Sequence, residues 1–557
     1  MSPLHSRMLA VLAGTALGLA TPVASSATTP AAAASDARAA QRSAKLSSSA
    51  AESIASGREQ LAAGRLGRAT TAFERALRLA GEAGDIALRR DALIEYARVL
   101  AKQERAADAL RAWEDAAATA RELDDRETLR TALSEAGRLQ LATKEAVPAA
   151  ASLAEALDLH VAAGDAAAAS RDVSQLAIAY ERLGDPAKAA DTHRRAIEID
   201  AARGDRAGEA WDRERLGSTL LELKQVEPAK AELESALAIR RELGDRAAEG
   251  RVLYRLADIA SDQDDVPRAL ELLSSALTIA VETGDRSAES QAATLAGNLH
   301  YRTQEFEPAL EFYARSQRIS AELGDVGNTG IAIENAANTL SSMGRHAEAL
   351  ARFEEAFALY QKAGRPLDEA TSLEGAAKQL VELERHAEAV SRYDEALARY
   401  RKLGDDEHLR KALPAAAQAR ARTGDAATAL RDLTEALGMD RAANDRRRER
   451  NVLAQLGGLL EEQGQLTDAF DAFSSAADLD TTLEDTTSER SHRSSLARVA
   501  RRLGRHDVEV VALERAQALA RADGDGPAER SLTTRLGDAL VSKGDYARAL
   551  EVHRQAL

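Results

Sequence analysis

Small and large apolar residues alternate along this chain in a register that returns every 40 residues. Alanine stands at Ala69, Ala109, Ala149, Ala189, Ala229, Ala269, Ala309, Ala349, Ala389, Ala429, Ala469 and Ala549, and Glu509 is the one exception to the series. Four residues on comes a large side chain, aromatic at Phe73, Trp113, Phe353, Tyr393 and Phe473. Three further on is a second small residue, as at Ala76, Ala116, Ala196 and Ala356. Twelve residues before the first alanine the chain is small again, at Ala97, Gly137, Ala177, Gly217, Ala257, Gly297, Ala337, Ala377, Gly457 and Gly537. Steps of three and four share one face of a helix. The pattern therefore predicts helices packed in pairs, a small residue admitting the neighbour and a bulky one filling the space beside it.

Turn signals fall between these stretches at the same interval. Gly-Asp or a close substitute stands at 84–85, 124–125 and every 40 residues on to 524–525. A second signal lies midway, as at Gly184-Asp185, Gly344-Arg345, Gly424-Asp425 and Gly544-Asp545. Glycine ends a helix in the left-handed conformation, and the aspartate after it caps the next helix and suits its positive end. Each half-period is then one helix of roughly 16–18 residues, about 25 Å long. Pro148, Pro186, Pro228, Pro267 and Pro308 fall in first helical turns, where a missing N–H costs nothing. Pro414 lies inside a helix, where it is expected to kink or break it and to mark a joint.

A strict period in this range means a solenoid, each unit burying its apolar face only against its neighbours. Leu216-Gly217, Leu256-Ala257 and Leu456-Gly457 on first helices, with Ala349, Phe353 and Ala356 on a second, resemble the tetratricopeptide repeat. The resemblance is to the 40-residue variant with lengthened helices and covers residues 46–557. It implies an all-α solenoid, a right-handed superhelix of about thirteen helix-turn-helix repeats. It also implies that ligands are held on a concave face, by polar positions of the first helices.

Composition narrows the function. The formal charge is −16, whereas nucleic acid calls for basic stripes, so no nucleic-acid partner is expected. Aromatics make up only 3% of the chain, so alanine and leucine build the core. Residues 1–27 combine Arg7, an apolar run from Met8 to Ala20 and small residues up to Ala27, and read as a signal peptide cleaved after Ser25 or Ala27. Residues 28–45, rich in Ala, Ser and Thr, read as a flexible linker ahead of the array at 46–557. No later stretch is long enough to span a membrane. With no cysteine, neither a lipid anchor on cysteine nor a disulfide framework exists. A periplasmic or secreted protein is expected, with a cytoplasmic assembly adaptor as the alternative.

Candidate chemistry is sparse. There is no phosphate loop, metalloprotease motif or calcium loop, so no enzyme, cofactor or metal is expected. His346, His386 and His506 follow mid-repeat turns and read as surface residues at helix starts. On the first helices one stretch stands out, repeats five to nine. It offers Trp211, Arg215, Arg251, Tyr254 and Arg255, then Asn298, Asn335, Asn338 and Lys378. Arg215 and Arg255 hold equivalent positions and are expected to stack, and Arg251 lies one turn from Arg255. Arginine forks beside aromatic rings suit carboxylates and binding hot spots, and asparagines clamp a peptide backbone through donor and acceptor together. Pairing within the helix, to Glu214 or Asp258, is the competing use of these arginines.

The expected function is thus a non-enzymatic scaffold for an extended peptide or protein segment. The alternative is the sensor domain of a bacterial signalling protein whose kinase or cyclase output lies beyond Leu557. The apolar end of the last repeat carries a further expectation, self-association.

Overall fold

The computed structural model describes residues 30–556, in which all regular structure is helical. The first three repeats pair α1 (Pro30–Ala62) with α2 (Leu66–Ala83), α3 (Ile86–Lys102) with α4 (Ala106–Glu122), and α5 (Arg126–Ala142) with α6 (Ala146–Ala162). Next come α7 (Ala166–Arg182) with α8 (Pro186–Arg203), and α9 (Arg206–Glu222) with α10 (Val226–Leu243). Repeats six to eight are α11 (Arg246–Asp262) with α12 (Val266–Thr283), α13 (Arg286–Arg302) with α14 (Phe306–Glu322), and α15 (Val326–Ser342) with α16 (His346–Ala363). Then follow α17 (Pro366–Glu382) with α18 (His386–Leu403), and α19 (Asp406–Arg422) with α20 (Ala426–Ala442). The last three pair α21 (Arg446–Glu462) with α22 (Leu466–Leu483), α23 (Thr486–Arg502) with α24 (His506–Ala522), and α25 (Gly526–Lys543) with α26 (Tyr546–Ala556). Of the described residues, those up to Ile239 form one compact unit and those from Arg240 another.

The turns obey one rule. From residue 64 to residue 544 a positive φ recurs at every twentieth position, 16 times at glycine and nine times elsewhere, from Glu104 to Glu484. At the first full turn Gly84 donates to Gly81 O and Asp85 to Ala80 O, the paired bonds that close a helix end. The Asp85 carboxylate then accepts the Leu88 N–H at 3.1 Å and opens the next helix. Aspartates at 125, 165, 205, 245, 285, 325, 405, 445, 485 and 525 do the same.

Within a repeat the two helices meet where the register places its small residue. A Cβ added to Gly137 would stand 2.6 Å from Leu153 Cγ, and one on Gly297 2.6 Å from Tyr313 Cε1. Phe73, Trp113, Phe353, Tyr393 and Phe473 are all buried, as the spacing predicts. In the second unit, first helices also touch those of the following repeat, α11 with α13 and α13 with α15. Charged side chains tie successive repeats there as well. Arg410 reaches the cap Asp445 at 3.0 Å and Arg490 reaches Asp525 at 2.8 Å, each arginine sitting in the repeat before its aspartate.

Two expectations change. Residues 30–45, expected as a flexible linker, belong to α1, and Ser43 Oγ already donates to Ala83 O at 2.7 Å. The alanines that suggested a linker are also the best helix formers, so this mostly exposed stretch continues α1. The signal-peptide segment 1–27 lies outside the described residues. Pro414 does not break α19, which runs from Asp406 to Arg422 through the buried proline. The carbonyl deprived of its partner by the proline is Arg410 O, and Arg448 Nη2 of α21 donates to it at 3.1 Å. Arg448→Met is therefore expected to cost about 1 kcal/mol more in the natural chain than in Pro414→Ala, where the amide of residue 414 takes over that carbonyl. Equal costs in both backgrounds, read by urea unfolding, would remove this explanation.

Candidate functional site

The nominated residues fall into both compact units. Trp211 and Arg215 lie on α9 in the first, and the other seven on α11, α13, α15 and α17 in the second.

On α9 the arginine is already engaged. Arg215 pairs with Glu181 of α7, and its Cζ stands 6.0 Å from the centroid of the half-buried Trp211 ring. Its carboxylate partner thus belongs to the preceding repeat. Glu181 in turn takes His193 Nε2–H at 3.2 Å, while His193 Nδ1–H donates to Asp212 at 2.7 Å. Ser174 Oγ completes the group by donating to Asp212 at 2.8 Å. His193 is fully buried, with the Trp211 ring 6.1 Å away. Burial opposes the charged imidazole, but the bonds to Asp212 and Glu181 prevail and hold its pKa above the ordinary value. Burial likewise raises the Glu181 carboxyl, and its bonds to His193 and Arg215 more than reverse this. Sequence reasoning missed this network although a signal existed. Residue 193 lies four beyond Ala189, in the slot where other repeats carry Phe, Trp or Tyr.

On α11 the nominated residues do come together. Arg251, Tyr254, Arg255 and Asp258 line one side of a cavity of about 290 Å³, with Gln291 and the small Ala288 and Ala292 of α13 opposite. Arg251 is exposed and in no ion pair among the described residues. The Tyr254 hydroxyl is raised by burial and then by the Asp258 charge, with Arg255 opposing. The cavity therefore presents guanidinium groups, a phenol and a carboxylate across the first helices of repeats six and seven.

Beyond it the asparagines are partly coupled. Asn298 Oδ1 accepts from Tyr313 Oη at 2.8 Å and from Asn335 Nδ2 at 3.2 Å, a bond that joins α13 to α15. Asn338 is exposed and its amide has no hydrogen bond among the described residues. Lys378 holds Glu374 at 2.6 Å on its own helix. Of the three histidines read as surface residues, His346 accompanies Gln379 at 3.0 Å and His506 accompanies Glu509 at 3.0 Å. All three, His386 included, are half-buried. Among the described residues no group of three or more His, Asp and Glu is placed to hold a metal ion, and no helix is long and apolar enough to cross a membrane.

A tetratricopeptide-repeat family model matches residues 165–242, 248–322, 290–362 and 328–402, and a second matches 531–557. This chain is a tetratricopeptide-repeat protein. No curated protein matches it. Among solved structures it is similar to a signal-transduction ATPase (STAND) protein with a tetratricopeptide repeat sensor from Pyrococcus horikoshii, at 13% identity and a TM-score of 0.48, over 64% of this chain and 53% of that one. The chain thus spans about half the length of that protein. It is similar also to BtubC from P. vanneervenii, at 20% identity and a TM-score of 0.36, over 39% of this chain and 91% of that one. The apo form of RapI aligns at 13% identity and a TM-score of 0.39, over 50% of this chain and 99% of that one.

The His193 network carries its own pH signature. A histidine whose folded pKa is raised contributes stability that is complete below the unfolded pKa and is lost as pH rises through the folded one. Glu181, whose folded pKa is lowered, contributes above its unfolded pKa and loses that share as pH falls through the folded one. With Trp113→Phe leaving Trp211 as sole tryptophan reporter, the urea midpoint is expected to fall as pH rises from about 6.5. His193→Phe, which fills the same slot, should flatten that window; an unchanged slope would discard the network as its cause.

Proposed function

We propose that this chain is a non-enzymatic scaffold that binds an extended peptide or protein segment along the first helices of repeats six to nine. The observation that carries this reading is the cavity between α11 and α13, where Arg251, Tyr254 and Arg255 converge beside small residues. Small residues open the space, and the arginines and phenol supply anchors of the kind that dominate binding energy. Asn298, Asn335 and Asn338 continue the surface with groups that both donate and accept, which suits a peptide backbone. Lys378 adds a cation at its far end. Trp211 and Arg215 act differently in this reading. Their contacts to His193 and Glu181 shape the first unit, and Arg215 is a support more than an anchor.

The scaffold is exported in this reading, on the strength of residues 1–27, and works in the periplasm or outside the cell. Its partner is a protein segment able to lie extended, with at least one carboxylate for the arginines.

A peptide selected from a random display library on the full chain is the direct test. Arg251→Ala with Arg255→Ala, and separately Asn298→Ala with Asn338→Ala, are each expected to weaken it by about tenfold or more. Indifference to both pairs would reject the groove. The mature N-terminus of natively expressed protein, read by Edman degradation, is expected to begin just after Ser25 or Ala27. An intact Met1 on cytosolic protein would remove export.

A further inference from the structure

An arginine-rich concavity lies apart from that groove, near the end of the array. A cavity of about 660 Å³ opens between α23 and α25, walled by Arg490, Arg498, Arg501 and Arg535 against a single carboxylate, Glu509. Two of the arginines are neutralised, Arg490 by Asp525 at 2.8 Å and Arg498 by Glu461 at 2.6 Å. Arg501 comes no nearer than 3.9 Å to Glu509, whose other oxygen takes His506 at 3.0 Å. Arg535 is half-buried and in no ion pair among the described residues; its one hydrogen bond runs to the Ser494 carbonyl at 3.1 Å.

The repeat itself supplies the comparison. Arg535 occupies in repeat thirteen the position that Arg215 holds in repeat five, and Arg501 occupies in repeat twelve the position of Glu181 in repeat four. Where the first unit has an arginine–glutamate pair between consecutive first helices, the second has arginine facing arginine. Burial lowers the Arg535 pKa, and Arg498 and Arg501 lower it further, with the Glu509 charge opposing. A half-buried Arg535 beside the exposed Arg501 is a like-charge arrangement that is destabilising unless an anion joins them. Around them the hydroxyls of Ser491, Ser494 and Ser531 face the same space and make no hydrogen bond among the described residues.

The geometry points to a phosphoryl-binding site between α23 and α25, gripped by Arg501 and Arg535 and completed by the serine hydroxyls. Two guanidinium forks balance a charge of about −2, and the terminal oxygens of a phosphate ester offer enough acceptors for forks and hydroxyls together. A carboxylate, singly charged with two oxygens, fills less of this donor set. The site shares no residue with the groove of repeats six to nine and stands or falls apart from it.

Calorimetry on the full chain tests it with inorganic phosphate, a phosphoserine peptide, and the same peptide bearing serine or glutamate. Saturable binding of phosphate or of the phosphopeptide, at least about tenfold tighter than the glutamate peptide, is expected. Phosphate binding as tightly as the phosphopeptide would identify a free ion as the ligand, and a clear advantage for the phosphopeptide would identify a modified protein. Affinity should drop as pH falls below about 6, where the ester takes up its second proton. Arg501→Glu rebuilds the pair seen at Arg215 and Glu181, so it should keep or raise the unfolding midpoint while weakening phosphoryl binding at least about tenfold. No saturable binding of either phosphoryl probe, equal binding of the glutamate peptide, or unchanged binding in a folded Arg501→Glu chain would each overturn the assignment.

Discussion

From α2 to α25 no helix is free to change length. A left-handed residue at every twentieth position from 64 to 544 fixes where each helix stops, and the residue after it fixes where the next begins. Each added residue would turn everything downstream by about 100° about the helix axis. The seat of Tyr313 on Gly297 or of Leu153 on Gly137 would then face solvent, because a contact that close exists at one rotation only. The nine turns closed by Glu, Asp, Lys, Gln or Asn show how strong the demand is. There an L-residue accepts a conformation disfavoured by about 1 kcal/mol or more in preference to a shift of phase.

With phase fixed, function is written into equivalent slots. The large-residue slot takes Phe73, Trp113, Phe353 and Tyr393, and in repeat four it takes His193, turning a hydrophobic plug into a buried charged clamp on Glu181 and Asp212. The slot pair that joins Arg215 to Glu181 reappears near the end of the array as Arg535 and Arg501. Substitution at one slot leaves the backbone unchanged, which is how a regular array carries surfaces of different chemistry.

The sequence made the fold legible because its signals are local: glycine and aspartate at turns, small and large residues at steps of three and four. It misled where one composition serves two ends. Alanine and serine at 30–45 suggest a linker, yet they make the first half of α1, since alanine favours helix. Pro414 reads as a break because the rescuing group, Arg448, comes from another helix. The candidate site was legible only in part. Arg251, Tyr254 and Arg255 share a helical face, so their meeting in one cavity follows from spacing. The engagement of Arg215 by Glu181 and of Asn298 by Asn335 crosses repeats, and a partner some 35 residues away leaves no local mark. For the same reason the arginines of α23 and α25 pass as ordinary solvated charges until the helices are set side by side.

The primacy of phase is tested most directly by two altered chains compared by circular dichroism and urea unfolding. One lacks residues 285–324, a full 40-residue period that rejoins Gly284 to Asp325; the other gains a single alanine after Asn338. The deletion is expected to keep helical content per residue and the unfolding midpoint, since stacking is repeated unchanged. The insertion, though 40 times smaller, is expected to lose the helical signal of at least one repeat or lower the midpoint. An insertion that behaves like the natural chain, or a deletion that unfolds it, would contradict the account.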